Sequence, residues 1–384
     1  MQDKYKKIDV TEGLSIGQFY EDYFSRRRPV LFKNLMAKNN LLEASKLSYI
    51  TSIASLADLY PTLKLKFSEG FRPDYFSTFK NSSTPEDEAN QLKPIDEATI
   101  SKGRPNMTLV EYNSHLESNP HSSLFCSENK VPSEFENLFP IPKYCNLDNT
   151  YNDVQTQFFL GTANHFAHMH YDTDARHVIL YQLFGKKRVV LIPPESSRIL
   201  SAKRHWSMLN IKNLNHSQLK GLLKLTNGTE CIIEGGDALY FPCASWHYIE
   251  YLSDTCSIRF AFGRNKYTTF LSEKLHPCSQ VQKAIVLFSD INSIDDVRIS
   301  AFDRIVTTYN SPCADINDKC KQIEDVISQV LYSISKLNPS NELYIPESEG
   351  LEASMKTLDN YQYQHLTPQV YLSGWNYLPK SNSL

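Results

Sequence analysis

A chain of 384 residues with 41% hydrophobic and 22% charged residues can bury a sizeable core and should hold one large domain with additions, or about two to three units. A formal charge of −3 gives no global pull toward nucleic acid or membrane. Eight scattered cysteines without a Cys-x-x-Cys pair argue against a zinc ribbon or a redox dithiol, and read as reduced, mostly buried thiols.

Met-Gln-Asp-Lys-Tyr-Lys-Lys opens the chain with no apolar run behind it, and no later run approaches a transmembrane length, so an intracellular protein of cytoplasm or nucleus is expected. From Ile16, apolar residues at Phe19, Tyr20, Tyr23 and Phe24 predict one helical face, and Val30 to Phe32 after Pro29 predicts a strand. The intervening Arg26-Arg27-Arg28 suits the negative end of that helix better than a nucleic-acid contact. Strict alternation over Leu63 to Phe67 predicts a second strand. Residues 81–106 are polar and read as an exposed loop, a mobile insertion rather than a substrate lid. Met107 onward resumes a helical pattern, and Val154 to Gly161 reads as a strand.

Next comes His165-Phe-Ala-His-Met-His-Tyr-Asp172, running into a hairpin: His177 to Leu183, a turn at Phe184-Gly185-Lys186, then Arg188 to Ile192 closed by Pro193-Pro194. Side chains two apart on a strand share a face, so His170 and Asp172 can converge on one ion. His168 shares that parity and is an alternative ligand; His165, His168 and His177 otherwise suit hydrogen bonding around the site or surface display. Glu195 to Leu225 is more polar and reads as a connecting insertion. Short strands are predicted at Glu230 to Ile233, Ala238 to Phe241, His247 to Leu252 and Cys256 to Phe262, a pattern of jelly-roll type. Tyr240 and Trp246 read as core aromatics. His247, in Gly235-Gly-Asp-Ala-Leu-Tyr-Phe-Pro-Cys-Ala-Ser-Trp-His247, completes with His170 and Asp172 the composition of a 2-His-1-carboxylate triad, the donor set that leaves positions on Fe(II) open.

Beyond Thr268 the periodicity is helical. Ser293 is the expected cap of one helix, and Ile323, Val326, Ile327, Val330, Ile334 and Leu337 form a stripe on another. The aromatic run from Tyr361 to Tyr377 reads as packed.

His170-Tyr-Asp172, Gly185-Lys-Lys-Arg-Val-Val-Leu-Ile-Pro-Pro, Gly236-Asp-Ala-Leu-Tyr-Phe-Pro and Trp246-His247, in this order, resemble the JmjC-type Fe(II)- and 2-oxoglutarate-dependent oxygenases, particularly small hydroxylases of little more than that domain. The resemblance covers roughly the first 270 residues and is tight over about 155 to 262. It implies a mainly β double-stranded β-helix (jelly-roll, cupin) core at 136–268, an N-terminal α/β region at 1–135 and a C-terminal helical region at 269–384. It further implies iron on His170, Asp172 and His247, and 2-oxoglutarate and O2 as co-substrates, with Lys187 on the distal carboxylate of 2-oxoglutarate. Independently, a carboxylate inside a barrel needs a cation, and Lys187 shares a strand face with Val189 and Leu191.

Val178 and Ala167 replace an Asn and a Thr or Ser frequent in the family, and Arg259 stands where an Asn is frequent. Arg259 is therefore a candidate second cation for the cofactor or an acidic substrate, against the alternative of an outward-facing strand residue. The implied reaction is hydroxylation with succinate and CO2 as co-products, on a protein side chain first and on a modified tRNA nucleoside second, because the hairpin also resembles that of the wybutosine hydroxylase. A non-oxygenase metal cupin or a binding module is the alternative from another class. Histone demethylation ranks lower, as no Cys-rich zinc module accompanies the domain. The C-terminal helices are a candidate homodimer surface.

Overall fold

In the computed structural model the two strands predicted between His177 and Ile192 form at the centre of the fold, but they lie in different sheets and do not pair, so the expected hairpin is instead a connection between the two sheets. The structure describes residues 7–35, 49–69, 106–122, 124–136, 139–146, 154–197, 199–200, 202–203, 205–207, 209, 211–275, 281–290, 294–312 and 316–337. The strands are β1 (Asp9–Thr11), β2 (Val30–Phe32), β3 (Lys64–Lys66), β4 (Ser68–Glu69), β5 (Asn106–Thr108), β6 (Leu124–Lys130), β7 (Gln155–Gly161), β8 (Phe166–His170), β9 (His177–Phe184), β10 (Lys186–Ile192), β11 (Ala202–Lys203), β12 (Trp206–Ser207), β13 (Thr229–Glu234), β14 (Ala238–Phe241), β15 (Trp246–Tyr251) and β16 (Thr255–Phe262). One sheet has the order β1-β2-β14-β9-β16-β7-β6-β4 and the facing one β11-β12-β8-β15-β10-β13, with β3-β5 as a separate pair. Consecutive strands from β7 to β10, and again from β13 to β16, alternate between the two large sheets, which is the jelly-roll arrangement expected from the sequence.

All eight residues of β9 are buried because both faces of its sheet are covered. Val178 and Leu180 point into the barrel with Leu31, Val189, Leu191, Ile233 and Leu239. Ile179, Tyr181 and Leu183 point outward into a second cluster with Phe19, Phe32, Tyr144 and Phe158. Each such side chain contributes about 1.5–3 kcal/mol on burial. The β9–β10 turn requires glycine: Gly185 has φ +76, and a Cβ there would stand 1.9 Å from the Asp254 carbonyl oxygen.

The expected entry helix is present as α1 (Ile16–Phe19), capped by the reciprocal Ser15 and Gln18 bonds, with its continuation Tyr20–Phe24 widened to a π turn. Phe19 and Phe24 are fully buried, Phe19 meeting Tyr240 edge-on at 4.8 Å. Helices α2 (Ile53–Leu59), α3 (Leu109–Ser118) and α4 (Ser133–Glu136) complete the N-terminal part.

Two further expectations need correction. The insertion after Glu195 is not merely a polar connection: it carries α5 (His216–Leu225), capped by Asn215, whose Leu219, Leu222 and Leu223 pack with Trp246, Tyr248 and Met169. Polar residues on its outer face dilute the pattern that its three leucines form. Of the C-terminal helices α6 (Lys266–Lys274), α7 (Val281–Phe288), α8 (Asp296–Asn310) and α9 (Ile316–Leu337), α8 is capped by Asp295, whose carboxylate accepts from the Arg298 N–H, and not by Ser293. Ile323, Ile327, Val330 and Leu331 of α9 are buried against α7 and α8. Ser293, the side chains of Ile334 and Leu337, residues 81–105 and the aromatic run of residues 361–377 lie outside what the structure describes. Cys126, Cys145, Cys231, Cys243 and Cys256 are buried. No helix among the described residues is long and apolar enough to cross a membrane.

Candidate metal centre

His170 ends β8 and His247 is the second residue of β15, and the two are cross-strand partners, which sets their rings 4.2 Å apart between centroids. Asp172 follows two residues beyond the strand end. The three offer ligand atoms all within 4.8 Å of one another. Asp172 Oδ1 lies 3.6 Å from His170 Nε2 and 3.7 Å from His247 Nε2. The structure thus brings together the three residues singled out in the sequence.

Backbone carbonyls fix the two imidazoles. His170 Nδ1 is 2.6 Å from the His168 carbonyl oxygen and His247 Nδ1 is 3.1 Å from that of Ser245. A carbonyl can only accept, so each Nδ1 carries the proton and each Nε2 turns its lone pair to the site. Burial, with the His247 ring beside it, pushes His170 down to about 3, so it is neutral and able to ligate at pH 7. Burial alone would raise the Asp172 carboxyl, but the Arg259 guanidinium against it overrules this and holds it well below the ordinary carboxylate range.

His168 is not an alternative ligand. Between His170 and Ala167 the strand advances three residues while its partner advances two, from His247 to Ile249, and this bulge breaks the parity assumed from spacing. The His168 ring turns away and donates from Nε2 to the Ser207 carbonyl at 2.7 Å; burial lowers it to about 4. His177 is also buried, 2.8 Å from the Tyr240 hydroxyl and stacked on Phe24 at 4.2 Å. Tyr240 and Trp246 are both fully buried, as expected of core aromatics.

Arg259 reaches into the site and not out of the barrel. Its Nη2 lies 2.7 Å from Asp172 Oδ2 and 3.2 Å from Asp174 Oδ2, and its Nη1 donates to Gln157 Oε1 at 2.8 Å. The guanidinium therefore holds the outer oxygen of Asp172 and leaves Oδ1 to the imidazoles. The sequence offered Arg259 as a cation for the cofactor or an acidic substrate; the structure places its guanidinium on Asp172 and Asp174.

Lys187 points into the barrel, 1% exposed, with its ammonium 4.3 Å from the Tyr251 ring centroid and hydrogen-bonded to Ser257 Oγ. Burial lowers it to about 7. Among the described residues no salt bridge reaches it, whereas Lys186 pairs with Glu234 and Arg188 with Glu230 and Glu250. Ser257 Oγ donates in turn to Gln182 Oε1 at 3.1 Å. A buried cation beside hydroxyls and without a carboxylate fits the distal carboxylate of a short diacid. Ser257, Gln182, Gln157 and Asp174 were missed from sequence. The available signal was Thr255, Ser257 and Arg259, three polar residues at every second position of an otherwise apolar strand. Val178 faces the apolar barrel interior and adds no polar contact.

The family model for a cupin-like domain matches residues 17–266. JmjC domain-containing protein D of Dictyostelium discoideum is 26% identical over 268 residues, 65% of this chain and 54% of that protein. Jumonji C domain-containing protein 5 of Drosophila melanogaster is 29% identical over 137 residues, 34% of this chain and 33% of that protein. Lysine-specific demethylase JMJ30 of Arabidopsis thaliana is 24% identical over 268 residues, 66% of this chain and 54% of that protein. The chain spans about half or less of the length of these curated relatives. With the jelly roll, the histidine and aspartate cluster and these matches in agreement, the chain belongs to the cupin-like, JmjC-domain family, whose members are typically Fe(II)- and 2-oxoglutarate-dependent oxygenases.

Proposed function

We propose that this protein is an Fe(II)- and 2-oxoglutarate-dependent hydroxylase of a protein side chain. The observation that carries the reading is the pairing, inside one barrel, of the His170, Asp172 and His247 cluster with the buried Lys187, which no carboxylate pairs among the described residues. Lys187 lies opposite Tyr251 and Leu191 opposite His247, so cation and triad stand four residues apart along the sheet, about 13 Å, which a lysine side chain and a five-carbon diacid together can span. His170, Asp172 and His247 would hold the metal and Lys187 with Ser257 the distal carboxylate. The bound metal and diacid would supply coupled oxidation: one atom of O2 goes to succinate as CO2 leaves, the other to a substrate C–H bond. The chain's own residues fix ligand tautomers, keep Asp172 ionised and exclude water with the apolar lining.

A protein substrate is favoured over tRNA because the conspicuous basic run is engaged within the fold. Arg26 donates to the Glu21 carbonyl at 3.1 Å, Arg27 to Ser289 Oγ at 2.8 Å, and Arg28 pairs with Asp9 at 2.5 Å. The lysine in the Arabidopsis relative's name is itself a protein side chain, and N-demethylation begins with hydroxylation of the methyl carbon, which then leaves as formaldehyde, so succinate release reads both outcomes while an added oxygen reads hydroxylation alone.

The test is succinate release from 2-oxoglutarate by the purified Fe(II) protein beside Asp172→Ala, followed by mass spectrometry of protein and tRNA pools for an added oxygen. Turnover only in the parent, with oxygen on protein, is expected. Failure of the metal-loaded parent to bind 2-oxoglutarate would remove the oxygenase reading in favour of a metal cupin or binding module. Strongly salt-dependent RNA binding with oxygen on a nucleoside would move the substrate to tRNA.

A further inference from the structure

Two alanines with left-handed backbone flank the metal cluster: Ala175 (φ 60), three residues after Asp172, and Ala244 (φ 59), three before His247. That conformation is unfavourable for a residue carrying a Cβ, so it persists only where the surroundings impose it. Both alanines are buried in a cluster built by the C-terminal helices, with Leu271, Ile285, Phe288, Ile305 and Ile327. The C-terminal region therefore packs directly on both loops that carry the cluster.

Polar bonds make the grip specific at the His247 end. The Gln282 side chain, 5% exposed at the start of α7, donates from Nε2 to the Ala244 carbonyl at 2.8 Å. Its Oε1 accepts from Ser197 Oγ at 2.7 Å, and Ser197 Oγ accepts from the Trp246 indole N–H at 2.8 Å. One amide thus holds the residue before Ser245 directly and the residue after it through Ser197, while the Ser245 carbonyl orients His247. Just past the end of α7, Ser289 Oγ accepts from Arg27, whose guanidinium also donates to the Cys243 carbonyl.

We infer that the C-terminal helical region is a positioning element of the metal centre, and that Gln282 is the positioning residue through which it sets the His247 ligand. The inference rests on the metal-binding reading of the triad. Outer partners of metal ligands that act this way change affinity and ligand field, not only stability.

The test titrates the full chain with Co(II), a spectroscopic stand-in for Fe(II), and records affinity, visible absorption and melting temperature for the parent, Asp172→Ala, Gln282→Leu, Ser197→Ala and Arg304→Ala. Arg304 bonds Gln329 between α8 and α9, away from the metal loops, and controls for loosened helices. Gln282→Leu should bind Co(II) about 10- to 100-fold more weakly with an altered spectrum, Ser197→Ala a few-fold more weakly, and Arg304→Ala like the parent. If Gln282→Leu does not fold, Ser197→Ala decides by the same two readouts. Affinity and spectrum equal to the parent in the folded variants, with only melting changed, would overturn the inference. A parent indistinguishable from Asp172→Ala would instead remove the triad reading, and the inference with it.

Discussion

Replacing Lys187 with methionine should make the protein more stable and a much weaker binder of 2-oxoglutarate. Burial lowers the ammonium from the ordinary lysine value of 10.5 to about 7, a difference worth at most about 5 kcal/mol of strain against the charged form. Methionine fills a similar volume without the charge but forfeits the bond to Ser257, roughly 2 kcal/mol, so a net gain of about 3 kcal/mol is expected. Because the folded value lies below the unfolded one, the penalty in the parent is complete below about pH 7 and disappears as pH rises to 10.5. The melting gap between variant and parent should accordingly be widest near pH 7 and close toward pH 10. Removing one partner of a buried charge pair costs about 2–5 kcal/mol, so affinity for 2-oxoglutarate should fall about 30- to 4,000-fold. Thermal melts across this pH range, with and without 2-oxoglutarate and a divalent metal, measure both effects. A variant no more stable than the parent at pH 7, or one that still binds 2-oxoglutarate within about threefold, would refute the reasoning.

Asp172→Ala should lose metal affinity by more than about 100-fold, read by Co(II) titration, and all succinate release. Arg259→Met frees Asp172 Oδ2 and Asp174 without touching the imidazoles, and should weaken metal binding about tenfold while Lys187-dependent recognition of 2-oxoglutarate survives. Gly185→Ala should cost about 2 kcal/mol or more in urea unfolding, since φ +76 and the Asp254 carbonyl leave no room for a Cβ. Ile327→Ala, in the cluster that also holds Ala175 and Ala244, should cost about 2–5 kcal/mol in the same measurement.

By itself the sequence determined the strands of the jelly roll and the convergence of His170 with Asp172, whereas His247, 75 residues further on, was found through the order of the motifs. The cause is local: strand periodicity, the Gly185 turn and the His170-Tyr-Asp172 spacing depend on near neighbours along the chain. The inward face of Lys187 was legible for the same reason. Only the tertiary structure decided which histidine near His170 joins the cluster, because the bulge opposite His247 and Ile249 is a property of strand pairing and reverses the parity of His168. It likewise decided that Arg259 holds Asp172 and that the Arg26 to Arg28 run is engaged internally, since their partners lie 87, 262 and 19 residues away in sequence for Arg259, Arg27 and Arg28. Which loops the C-terminal helices pack on was not legible in the sequence. An apolar stripe reveals that a helix packs, but Gln282 meets Ala244 across 38 residues of chain, and no periodicity encodes which carbonyl a buried amide will find.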